Sequence, residues 1–326
     1  TDSAQPGYFH RVVDCQWACP AHTPVPEYIR LIAQGRYDDA YLVNWKSNVF
    51  PGILGRTCDR PCEPACRRVR VEEGSPEHRK AHAKPEAVAI CRLKRAAADY
   101  KGDIRPHLPK PAAKGNGKRV ALVGAGPASL TVARDLAPHG YQCVVFDGDP
   151  KAGGMMRTQI PKFRLPDRVI DEECGYILDL GVEFRAGTRV DSMASLLAEG
   201  YDAVFVGSGA PRGRDLDIPG RREAAKRIHI GIDWLSSVSF GHTTSIGKRV
   251  VVLGGGNTAM DCCRSARRLG GEDVHVVVRS GFDEMKASPW EKEDAAHEGI
   301  PIHNFLVPKA FLHEHGRLCG ITFDKV

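Results

Sequence analysis

Six of the eleven cysteines in this 326-residue chain fall within its first 91 residues, at Cys15, Cys19, Cys58, Cys62, Cys66 and Cys91. Closely spaced thiols bind metal centres, and an odd cysteine total argues against a disulfide framework. Cys15-Gln-Trp-Ala-Cys19-Pro20 has the pattern that ends many iron–sulfur ligand runs, two cysteines separated by three residues and followed by proline. Cys58-x-x-x-Cys62-x-x-x-Cys66 adds three more thiols. Pro61 and Pro64 interrupt any regular helix there, so the segment is expected to wrap a metal centre instead of forming a core stripe. Zinc is the rival occupant; structural zinc sites match one close cysteine pair with another, and the spacing here fits iron–sulfur better. Cys143 lies in an apolar run and Cys262 and Cys263 on a helical pattern, which reads them as buried small hydrophobes. Cys174 and Cys319 carry no spacing signal.

Two glycine-rich turns offer a second chemistry. Gly124-Ala125-Gly126-Pro127-Ala128-Ser129 and Gly254-Gly255-Gly256-Asn257-Thr258-Ala259 each follow an apolar, β-branched run. The order strand, turn, helix aims backbone N–H groups and a helix N-terminus at a pyrophosphate. The first two glycines allow a tight turn and close backbone approach; the third position needs a small residue, supplied by Ser129, which fits less well, and by Ala259. Two nucleotides in one chain imply electron transfer between them. The strand Gln142 to Phe146 ends at Asp147, 23 residues beyond Gly124, where a carboxylate can accept hydrogen bonds from an adenosine ribose. The corresponding strand of the second motif, Asp273 to Val278, ends instead at Arg279, with Lys286 close behind. Cations there suit a 2′-phosphate, and solvated surface charge is their equal alternative.

The rest of the chain must hold these groups in place. Apolar residues make up 42% and charged residues 26%, as in folded multi-domain enzymes. A net charge of +6 with scattered Lys and Arg favours acidic ligands over nucleic acid. The absence of a long apolar run and of a signal-peptide pattern points to the cytoplasm. Val25 to Gln34, Tyr37 to Ser47 and Val88 to Tyr100 have helical apolar spacing. Glu72 to Pro85 reads as a solvated insertion in preference to a metal role for His78 and His82. Pro106 to Gly117 reads as a linker.

Four motifs together resemble the small subunit of bacterial glutamate synthase and the matching N-terminal half of dihydropyrimidine dehydrogenase, over essentially the whole chain. They are Cys15-x-x-x-Cys19-Pro20, Asn48-x-Phe50-Pro51-x-x-x-Gly55-Arg56-x-Cys58-x-x-x-Cys62, Ile160-Pro161-x-Phe163-Arg164-Leu165-Pro166, and Gly254-Gly-Gly-Asn-Thr-Ala-Met-Asp261. The resemblance implies an α/β fold with an N-terminal all-α iron–sulfur domain and two Rossmann-like nucleotide-binding domains, for FAD and NAD(P)H, the second inserted in the first. The expected division is 1–110 for the cysteine-rich domain, 111–224 for the first part of the FAD domain and 225–326 for the NAD(P)H domain. The closing part of the FAD domain is expected to be missing beyond Val326.

The resemblance also implies roles. FAD contacts fall on Gly124, Gly126, Pro127, Ala128, Ser129, Asp147, Gly153, Gly154, Met155 and Gly209. Those to the nicotinamide nucleotide, NADP(H) in preference to NAD(H), fall on Gly254, Gly256, Asn257, Thr258, Ala259, Arg279 and Lys286. One 4Fe–4S cluster would take Cys19, Cys58, Cys62 and a non-cysteine residue that aligns near Lys94. Lysine is an implausible ligand, and Cys91, one helical turn earlier, is expected to complete the site. A second cluster would use Cys15 and Cys66 with an upstream pair that falls at Gly7 and His10, where cysteines are absent. Hydride transfer between cofactors needs no protein nucleophile. The expected activity is electron transfer between NAD(P)H, FAD and a 4Fe–4S cluster, to or from a catalytic partner subunit. Two alternatives belong to other classes. A flavin disulfide reductase would need a redox Cys-x-x-Cys, which the chain lacks; a non-catalytic zinc-binding or iron–sulfur assembly module would leave the nucleotide folds vestigial.

Overall fold

The computed structural model describes residues 13–69 and 86–326. Gly7, His10, His78 and His82 lie outside them. The chain forms two compact units, one taking in the chain to Val123 with Ala128–Gly148 and Asp167–Phe205, the other Gly124–Pro127, Asp149–Pro166 and Val206–Val326. Among the described residues no helix is long and apolar enough to cross a membrane.

The first unit opens on helices α1 (Asp14–Ala18), α2 (Val25–Ala33), α3 (Tyr37–Asn48), α4 (Pro51–Thr57) and α5 (Ile90–Tyr100). Proline in the first turn starts α2 and α4, where its missing N–H costs nothing. Val25, Tyr28 and Leu31, three residues apart, make one buried stripe of α2, which packs with Cys62, Ile90 and Ala97 in a common core. Tyr28 donates its hydroxyl to the carbonyl of Ile90 at 3.1 Å. Helices α4 and α5 meet at Gly55, where a Cβ would lie 2.7 Å from the Arg95 nitrogen, so glycine is required for the approach. That crossing brings Cys58, three residues on from Gly55, to the turn of α5 that carries Cys91.

A parallel sheet follows. Strand β1 (Arg119–Val123) leads to α6 (Pro127–Leu136) and β2 (Gln142–Phe146); α7 (Met155–Thr158) belongs to the second unit, and α8 (Asp167–Leu178), β3 (Glu183–Arg185), α9 (Met193–Ala198) and β4 (Ala203–Val206) complete the series. The strand order is β3-β2-β1-β4, with β1–β2 and β2–β3 parallel and Ala121 opposite Val144. Near-continuous apolar runs suit strands buried on both faces. Helix α6 begins at Pro127, a residue well placed in a first helical turn. Helix α5 begins two residues later than its periodicity suggests, the ordinary scatter of helix ends.

Within this unit Glu173 of α8 is fully buried and accepts hydrogen bonds from the Tyr41 hydroxyl (2.7 Å) and the N–H groups of Gly52 (2.6 Å) and Ile53 (3.0 Å). It satisfies two orphan donors at the start of α4. Burial nevertheless outweighs these bonds and pushes its carboxyl up to about 7 from an ordinary 4.5. A raised acid in the folded state contributes stability that is complete below pH 4.5 and is lost as pH rises through about 7. Glu173→Gln removes the ionisation and keeps an acceptor. Urea midpoints of the variant are therefore expected to vary less than those of the parent across this window, by roughly 3 kcal/mol in total. An unchanged slope would place the titration elsewhere.

The second unit contains α10 (Gly231–Ser239), β5 (Arg249–Leu253), α11 (Asn257–Arg268), β6 (Asp273–Val277), α12 (Pro289–His297), β7 (Ile302–His303), and the strands β8 (Leu306–Glu314) and β9 (Arg317–Lys325). Parallel β5-β6-β7 align Val250 with Val274 and Val276 with Ile302; β8 and β9 form an antiparallel hairpin. The core sets Met260, Cys263 and Ala266 of α11 with Val274 and Val276 of the sheet. Cys143, Cys262 and Cys263 are buried as the sequence suggests; Cys174 is also buried and Cys319 exposed.

Candidate functional site

Three of the expected cluster ligands come together from separate stretches of chain. The Cys91 thiol lies close enough to those of Cys58 and Cys62 for each to act on its ionisation. Cys58 favours the Cys91 thiolate, but Cys62 and burial outweigh it and carry Cys91 up to about 12. The neighbouring Cys91, then burial, raise Cys58. As free side chains these are neutral thiols, and iron displaces their protons on binding. The Arg60 N–H points at the Cys58 sulfur at 3.3 Å, an interaction of the kind that tunes ligated sulfur. Cys19 donates to the Thr23 hydroxyl at 3.5 Å. Cys15 lies near enough to Cys66 to feel its charge; burial first, and Cys66 next, raise the Cys15 thiol. Among the described residues no group of three or more His, Cys, Asp or Glu side chains has the arrangement of a single-ion site.

The first glycine turn lies in the second unit with the loop that carries Gly153, Gly154 and Met155. Gly124 has φ +94°, and a Cβ there would meet the Gly207 carbonyl oxygen at 2.6 Å. Gly154, at φ +50°, leaves the same lack of room against the Gly126 Cα at 2.7 Å. Gly153 donates to the Ala125 carbonyl at 2.8 Å. Over Gly126 itself a Cβ would meet nothing closer than 3.9 Å, so this glycine leaves room where a pyrophosphate approaches. Met156 is buried and Met155 exposed; Gly209, at φ +68°, also has open space around it. Ser129, at the small-residue position, is wholly buried with its hydroxyl unpartnered, the physical sense in which serine fits less well than alanine. In the first unit, Asp147 follows β2 as expected, its carbonyl accepting from Thr188 N–H at 2.7 Å.

The second turn is stitched to the basic loop. Gly254 has φ +135°, and open space surrounds Gly256, the N-cap of α11. A Cβ on Gly255 would lie 2.8 Å from Val278 and 3.2 Å from Met285. Ala287 N–H donates to the Gly255 carbonyl (2.9 Å), and the Asn257 amide oxygen accepts from Ser288 N–H (2.8 Å) while its nitrogen donates to the Ser288 hydroxyl (3.3 Å). The loop bearing Arg279 and Lys286, both exposed, is thereby fixed to the turn. Sequence reasoning assigned Asn257 to the nucleotide; the fold also uses its side chain as a loop anchor. Thr258 and Ala259 open the first turn of α11, with Ala259 buried.

Asp261 sits in a buried ion-pair network. Arg164 donates to both its oxygens at 2.6 and 2.7 Å and reaches Glu291 at 2.6 Å, while Arg264 bonds Glu291, Asp294 and Glu298, each at 2.9 to 3.0 Å. Phe163 lies under the Arg268 guanidinium, 3.9 Å from the ring centre. Burial raises Asp261 to about 6 although Arg164 opposes it. The Phe163-Arg164 motif was legible; its partners were not.

Residues 9–105 match the family model for dihydropyrimidine dehydrogenase domain II, 4Fe–4S cluster, and residues 118–318 that for pyridine nucleotide-disulphide oxidoreductase. The chain is 35% identical to the NADPH-Fe(3+) oxidoreductase subunit beta of Geobacter sulfurreducens, covering 98% of this chain and 48% of that one. It is 32% identical to the glutamate synthase [NADPH] small chain of Escherichia coli, covering 94% and 65%. The chain thus spans about half the length of the first of these curated relatives. The fold is shared with FprA of Mycobacterium tuberculosis in its His57Gln form, at a TM-score of 0.54 and 18% identity, over 64% of each chain. With the larger family model covering most of the chain, the chain belongs to the pyridine nucleotide-disulphide oxidoreductase family, and its first hundred residues match a 4Fe–4S cluster domain.

Proposed function

We propose that this chain is the electron-input part of a larger oxidoreductase, exchanging electrons between NADP(H) and a catalytic partner subunit. The observation that carries this reading is the meeting of Cys58, Cys62 and Cys91 in a chain that also holds two open glycine turns. Bound there, a nicotinamide would supply hydride, a flavin would divide its two electrons, and a 4Fe–4S cluster would carry them singly. The protein's part is placement: Gly126 and Gly256 admit pyrophosphates, Asp147 accepts from a ribose, and Cys19, Cys58, Cys62 and Cys91 hold the cluster. The division into a cysteine-rich domain to about residue 110, an FAD domain to 224 and an NADP(H) domain beyond belongs to the same proposal. So does residence in the cytoplasm, which the free thiols support. Cys15 and Cys66 would serve a second cluster only if further ligands were supplied, and are otherwise vestigial.

Anaerobic purification with iron, sulfide, zinc and flavin assays, followed by titration with NADPH and NADH, tests the proposal. About four irons per chain with a flavin band that bleaches supports the relay, and about eight adds the second cluster. Zinc without flavin would replace it with the assembly module. The preference for NADP(H) has its own test. Arg279→Ala is expected to weaken NADPH use roughly tenfold or more and to spare NADH, since only the 2′-phosphate loses a charge-assisted bond. Equal losses for both would withdraw the preference.

A further inference from the structure

Lys94 is a buried lysine, 4% exposed, on the same face of α5 as Ile90, Cys91 and Ala97. Residues three apart on a helix are neighbours, so its stem runs beside the Cys91 thiol. It makes no hydrogen bond or ion pair with any described residue. The carboxylate beside this turn, Glu63, is already engaged: it accepts from the Cys91 N–H at 3.0 Å and faces Arg60 at 4.0 Å. Asp99, one turn beyond, is held by Arg56 and Arg95. A lysine whose stem is buried and whose ammonium has no anion beside it is placed to meet one. The nearby groups that become anionic are the thiols: Lys94 acts electrostatically on both Cys58 and Cys91, favouring their ionised forms.

We propose that Lys94 is the charge partner of the iron–sulfur cluster, its ammonium offsetting the negative charge of the cluster and of the electron added on reduction, so that it sets the cluster's potential. The inference rests on the proposed ligation by Cys19, Cys58, Cys62 and Cys91. Lys94 is a positioning and tuning residue and not a ligand. Reduction adds one electron, delivered from flavin reduced by NAD(P)H, and neither a bond nor a proton of Lys94 changes. A cation beside the cluster favours the more negative, reduced state. Without the cluster the same cation is an unpaired burden on the fold.

The test compares the full chain with Lys94→Met and Lys94→Arg, in cluster-free and cluster-loaded forms. An EPR-monitored redox titration of the loaded proteins is expected to show the methionine variant at least tenfold less favourable to reduction, a fall of 59 mV for a one-electron couple, with the arginine variant near the parent. Thermal melts are expected to cross over: methionine leaves the cluster-free chain as stable or more stable and the loaded chain less stable. Iron retained by the arginine variant and lost from the methionine variant would also support the assignment. An unshifted potential, or equal destabilisation of both forms, would reduce Lys94 to a packing residue and overturn it while the cluster stands. A parent chain without iron would overturn the cluster itself, and Lys94 with it.

Discussion

Gly124→Val is expected to abolish flavin binding while leaving iron bound. The backbone at Gly124, φ +94°, is one that β-branched residues avoid, and the added Cβ would fall 2.6 Å from the Gly207 oxygen and 2.9 Å from its carbon. Both obstacles are backbone and cannot rotate away. The turn must shift, and with it the N–H groups that would face the pyrophosphate, so binding is lost by geometry and not by contact chemistry. Desalting followed by absorbance and iron assays reads both cofactors in one sample. Flavin retained at the parental ratio would mean that this turn does not hold it.

The second large effect concerns stability. Arg164→Met is expected to destabilise the chain by about 3–5 kcal/mol, because it leaves Asp261 and one oxygen of Glu291, both almost wholly buried, without their cation. Asp261 already sits near 6 because burial outruns Arg164; without the arginine it rises further. A protonated Asp261 needs no cation, so the deficit is expected to shrink as pH falls toward about 6 and to level off below it. Urea melts at two pH values check the sign. Adding Asp261→Asn is expected to recover part of the loss, a coupling that a double-mutant cycle measures. A deficit that is independent of pH and of residue 261 would locate the effect in the packing of the arginine stem.

The features that could be read from the sequence are those whose signal is local. Each glycine turn announces itself by a strand before it and a helix after it, and Asp147 by its place at a strand end. The cysteines are conspicuous by spacing. What escaped is carried by pairs distant in sequence. Nothing near Glu173 indicates that it caps a helix beginning at Pro51, and nothing near Asp261 names Arg164. Lys94 was visible as an unsuitable ligand; that it is buried depends on the crossing of α4 and α5 at Gly55, a tertiary fact. Asn257 shows the same limit from the other side, since a fingerprint position also holds a loop 31 residues away.

That loop anchor bears on how coenzyme choice could be altered. With Ala287 and Ser288 tied to Gly255 and Asn257, residues 279–288 and the head of α11 behave as a single cassette. Point exchanges at Arg279 alone would change the charge offered to a coenzyme without reshaping the ledge that presents it. A graft intended to convert the preference would have to carry the loop together with its seat at Asn257, and lineages that switched coenzyme would be expected to have replaced the two as a block.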